Sequence, residues 1–129
     1  MNTELCNTAM QTSLKFNMNS RIQVINAELS TKTEILRQTD VLILNNVFDW
    51  FAPIDIQVQL WQSIRKNVKP GSLIVTIPSL HEALRILPNN ANIDLESWVQ
   101  ACAPFRPERI SKNLLNEKLE SIFLYSVKS

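Results

Sequence analysis

Hydrophobic and polar positions alternate between two periods along this chain. Leu5, Ala9, Leu14 and Phe16 suit a helix over residues 5–17 packed against something. Ile22, Val24 and then Ile25 in RIQVIN predict a short strand over 21–26. Residues 31–38 read as a short helical connector. Val41–Leu44 is an unbroken apolar run, the mark of a strand covered on both faces in a parallel sheet. Pro53 suits a helix start with Asp55 in its first turn. Ile56, Leu60, Trp61, Ile64 and Val68 then follow at helical spacing, until Lys69–Pro70–Gly71 stops the helix. SLIVTIP predicts a second buried strand near 72–77. A helix is expected over 79–88, a loop at PNNAN, either helix or strand over 93–103, and a last strand in SIFLYSV at 121–127. Alternation of this kind predicts an α/β fold with three parallel strands and crossover helices.

Composition narrows the function classes. A chain of 129 residues suits one domain with a real core. Apolar residues make up 45% and charged residues 19%, which is ordinary for a globular protein. A net charge of +1 gives no electrostatic case for nucleic-acid binding. No apolar run is long enough to span a bilayer, and MNTELCNTAM, without a basic region followed by an apolar stretch, is not expected to act as a secretory signal. Two isolated cysteines, Cys6 and Cys102, read as reduced thiols, so an intracellular location, cytoplasmic or nuclear, is expected. His81, the one histidine, has neither a nucleophile nor the partners of a zinc site. Gly71 is the single glycine, where about nine would be usual. A glycine-rich phosphate- or nucleotide-cradling loop therefore cannot be built from these residues.

Asn45 and Asn46 fall where the 40–45 strand meets its loop. Ligands bind at that edge of open α/β sheets. Amides there can orient an amine nucleophile, although Asn also favours turns. Phe48, Trp50 and Phe51 can wall a channel or fill the core beneath the next helix.

The segment DVLILNNVFDWF…LWQSIRKNVKPGSLIVTIPSL resembles the middle of a class I, S-adenosylmethionine-dependent methyltransferase. Asn45–Asn46 followed by Val47–Phe48 is similar to the Asn-Asn-Phe element of the non-SET histone lysine methyltransferases, whereas Asp49–Trp50 departs from it. NTEL resembles the end of the second strand of that family and NAEL the end of the third. SIFLYSVKS resembles its antiparallel last strand. The resemblance covers most of residues 2–79 and the last segment.

It implies a three-layer, Rossmann-like sheet, with residues 1–129 forming one partial domain that lacks the first strand and the glycine-rich loop. It implies S-adenosylmethionine as cofactor, bound weakly or not at all by these residues alone. Glu4 would accept the ribose hydroxyls. Glu28 would accept from the adenine amine, Leu29 would wall the ring, and Asn45 would complete the cofactor edge. Asn45 and Asn46 would serve transfer, while Phe48 and Trp50 would line the acceptor channel. The acceptor is unidentified, with a protein lysine as one candidate. A partner covering the exposed sheet edges is a further expectation. The alternative is a non-catalytic interaction module of the same ancestry.

Overall fold

A computed structural model describes residues 2–45, 48, 52–103 and 121–129, which fall into two compact units, 1–32 and 33–129.

The first unit is built around helix α1, Thr3–Lys15. Asn2 caps it, its side chain accepting from the Leu5 amide at 3.1 Å. Such a cap satisfies one of the four orphan amides at a helix start. Asn17, at φ 54°, reverses the chain. The Asn26 side chain then donates to the Thr3 hydroxyl at 3.3 Å, closing the return segment onto the helix start. A single 3-10 turn, Leu29–Thr31, ends the unit.

Two sequence expectations fail in this unit. Residues 21–26 form no strand, and Glu4 lies in the first turn of α1 rather than at a strand end. The alternation of Ile22 and Val24 is a local signal, and a strand also needs a ladder partner. Among the described residues none pairs with this segment, and Ile22 and Ile25 stay exposed.

The second unit is a four-stranded sheet with helices. Its elements are α2 (Thr33–Gln38), β1 (Val41–Asn45), α3 (Ile54–Asn67), β2 (Leu73–Ile77), α4 (Leu80–Arg85), α5 (Leu95–Trp98), β3 (Val99–Cys102) and β4 (Phe123–Val127). The sheet order is β1-β2-β4-β3. β1 and β2 are parallel, and β4 runs antiparallel to both β2 and β3. Two of the three expected parallel strands are thus found, together with the antiparallel last strand. The ambiguous 93–103 stretch is both things in turn: Asp94 caps α5, and the chain extends into β3 directly after Trp98.

Residue parity divides the sheet into two faces, because successive side chains point to opposite sides. Leu44, Ile74, Thr76 and Val127 are buried on one face. The α3 stripe of Leu60, Trp61 and Ile64 completes the core with them, and Leu80, Ala83 and Leu84 of α4 are buried as well. Tyr125, paired with Ile74, accepts a hydrogen bond from the Leu80 amide at 3.2 Å, which puts α4 on the same side. The opposite face is open at β1, where Val41 is 51% and Ile43 68% exposed. The described helices of this unit therefore cover one face, where three layers were expected.

The turn after α3 ties three strands together. Gly71 adopts φ 83°, and its amide donates to the Val127 carbonyl at 2.9 Å. The Val127 amide returns a bond to the Ser72 carbonyl, while the Ser72 hydroxyl donates to the Thr39 carbonyl at 2.8 Å. Gly71 takes the left-handed region at little steric cost, as the Lys-Pro-Gly spacing predicts.

Candidate functional site

Parallel strands end together, so the sheet has one carboxyl edge. Asn45 closes β1 and Ile77 closes β2, and the two are paired in register. The edge continues through Phe123, opposite Thr76, and through Leu124 to Cys102. Asn45 is exposed and shares the parity of the open face. Cys102 is a half-buried free thiol.

Beyond Ile77 comes a cis peptide to Pro78, and Ser79 then starts α4. Ser79 and Glu82 cap each other. The Glu82 amide donates to the Ser79 hydroxyl at 3.1 Å, and the Glu82 carboxylate accepts from the Ser79 amide at 3.2 Å and its hydroxyl at 2.9 Å. These bonds favour the charged form, so Glu82 sits below the usual carboxylate range, the Ser79 hydroxyl being the main cause. Burial pushes the Tyr125 phenol up, opposed by the bond from Leu80.

The expected site residues are distributed as follows. Asn45 lies at the carboxyl edge of the second unit. Glu4, in α1, and Glu28 and Leu29, at the 3-10 turn, belong to the first unit. Phe48 is buried and meets Trp61 edge-on, with ring centroids 5.4 Å apart and planes at 87°. That contact is the core alternative for this ring, and such pairs add roughly 0.5–1.5 kcal/mol beyond burial. Asn46, Trp50 and Phe51 lie outside the described residues. Among the described residues, no three His, Cys, Asp or Glu side chains gather as a metal site, and no helix is long and apolar enough to cross a membrane.

A second feature was not anticipated. A cleft of about 410 Å³ opens between α4 and residues 90–96. His81 and Arg85, one helical turn apart on α4, share the lining with Asp94 and Glu96, and Leu84, Ile93, Leu95 and Asn90 complete it. Asp94–Glu96 just precede β3, which places them toward the edge where the parallel strands begin, away from Asn45. His81 and Arg85 at i,i+4 was the available sequence signal, but nothing local paired them with residues nine or more positions later.

Comparison with protein-family models, with curated proteins and with solved structures finds no match.

Proposed function

We propose that this chain supplies the later strands of an S-adenosylmethionine-dependent methyltransferase sheet and the asparagine edge that presents a methyl acceptor. The observation that carries this reading is the arrangement of the second unit. Two parallel strands end together at Asn45 and Ile77, and the strand latest in sequence runs antiparallel to β2. This is the order of directions implied by the resemblance, and it leaves the Asn45 amide exposed at the ligand edge.

In this reading the bound cofactor brings the reactive methyl group, so the protein's part is to position and desolvate. The Asn45 amide, followed in sequence by Asn46, accepts from an incoming amine and fixes its approach. S-adenosylmethionine held at this edge would supply the methyl group to that amine, whose proton would pass to solvent, while Asn45 would hold the nitrogen in line. Charged hydrogen bonds contribute about 1.5–3 kcal/mol each. With no glycine loop among these residues, we expect an affinity for S-adenosylmethionine no better than about millimolar, near −4 kcal/mol.

Amide-resolved NMR titration of the whole chain with S-adenosylmethionine tests the proposal. Saturable shifts centred on Asn45 and Ser79 support it. Shifts confined to other regions, or none at about 10 mM ligand, overturn it.

A second reading, an interaction module without catalysis, is favoured by one observation. β1 is an edge strand without a charged side chain or proline, and its neighbouring face exposes Ile43. Such edges are ready templates for strand pairing.

A further inference from the structure

The cleft between α4 and residues 90–96 has opposite charges on its two walls and an apolar part to its lining. Leu84, 1% exposed, and Ile93, 8% exposed, are the buried apolar residues of its lining. His81 and Arg85 project from one wall because residues four apart share a helix face. Asp94 and Glu96 stand on the other. Among the described residues, no ion pair within 4 Å engages any of the four. One carboxylate oxygen of Asp94 accepts from the Glu96 amide at 3.1 Å. The nearby Lys128 ammonium is bound to the Glu96 carbonyl rather than to its carboxylate. On the cationic side, the neighbouring Glu82 carboxylate is held by Ser79.

The acidic wall is also held in place before any ligand arrives. Residues 89–92 all have positive φ, between 47° and 57°. Ala91 is fully buried within that turn, and its carbonyl accepts from the Gln62 side chain of α3 at 3.0 Å. A non-glycine residue persists in this region only when its surroundings fix it. The turn delivers Asn90 and Ile93–Glu96 to the cleft in one arrangement, and such preorganisation lowers the entropic cost of binding.

We infer that this cleft binds a small aliphatic zwitterion, its carboxylate toward His81 and Arg85, its ammonium toward Asp94 and Glu96, and its side chain on Leu84 and Ile93. A volume of about 410 Å³ falls in the range of ligand pockets. A cleft of this volume suits a ligand on the scale of an amino acid or a dipeptide. A singly charged ligand leaves one wall without a partner, and a neutral apolar one meets a charged rim on both sides. The inference does not depend on the methyl-transfer reading, since it uses none of the residues at the Asn45 edge.

NMR and calorimetric titration of the whole chain with leucine and with the dipeptide Ala-Leu tests it. N-acetylleucine, which lacks the ammonium, and leucinamide, which lacks the carboxylate, are the controls. We expect saturable shifts at Leu84, Asn90 and Ile93, with at least one zwitterion binding tenfold or more tightly than both controls. Arg85→Gln and Glu96→Gln should each weaken that binding at least tenfold while leaving the rest of the amide spectrum in place. Tighter binding of leucine assigns the cleft to free amino acids, and tighter binding of Ala-Leu assigns it to short peptides. The inference is overturned if neither zwitterion gives saturable shifts at about 10 mM, if the controls bind equally well, or if both variants bind like the parent.

Discussion

The backbone amide of Leu80 donates to the phenolic oxygen of Tyr125, 3.2 Å away, across 45 positions of sequence. This bond fixes the start of α4 against β4 and supplies an acceptor for one of the orphan amides of the helix. Tyr125→Phe keeps the ring and removes the acceptor. We expect a loss of about 1–2 kcal/mol in urea unfolding, the usual cost of a partly buried donor left without its partner. A loss near zero would show that water replaces the phenol freely.

Gly71 separates crowding from conformational strain. A Cβ built there meets nothing within 4 Å, yet φ is 83°. Gly71→Ala should therefore cost about 1–2 kcal/mol through backbone conformation alone. Gly71→Asn should cost clearly less, because Asn tolerates the left-handed region better. Equal losses for the two variants would point instead to a side-chain contact absent from the described structure.

Stability should fall on acidification through Glu82. Its folded value is lowered, so its contribution is complete above the unfolded value, about 4.3, and is lost as pH falls through the folded one. In Glu82→Gln this part of the acid limb should flatten while stability at neutral pH drops modestly. Parallel acid limbs for the two proteins would remove Glu82 from the account.

Ile43 reports on the open face of the sheet. At 68% exposure it should accept Ile43→Lys with a change within about 0.5 kcal/mol, as surface positions generally do. The same change places a charge beside an unguarded edge strand and should raise the concentration at which the protein stays monomeric. A loss above about 2 kcal/mol would mean that another element covers Ile43 in solution.

Elements marked by unbroken or strictly periodic apolar runs were readable in advance, although β1 leaves Val41 and Ile43 exposed where cover on both faces is expected. Val41–Leu44, the α3 stripe and SIFLYSV are of this kind, and the Lys-Pro-Gly stop placed Gly71 correctly at positive φ. Residues 21–26 misled because alternation describes a strand only when a partner strand exists. The switch at Trp98–Val99 was ambiguous because Trp98 is buried whether the chain coils or extends there. At the carboxyl edge, Asn45 was legible from its place after an apolar run. The cleft was not, since the left-handed turn that shapes it depends on Gln62 reaching Ala91 across 29 positions. Three asparagines at 89, 90 and 92 announce a turn but not its hand over four residues.

The position of β4 inside the sheet sets the order in which the protein can be assembled as it is made. Among the described residues β3 pairs only with β4, so that described ladder of residues 99–102 forms once residues 123–127 have left the ribosome. At about 5–20 residues per second, the nascent chain spends a second or more before that ladder, and the one between β2 and β4, can form. During that interval β1 and β2 can already form their parallel ladder around the Gly71 turn. Arrival of β4 then zips both of its sides at once, making completion of the described sheet a single event.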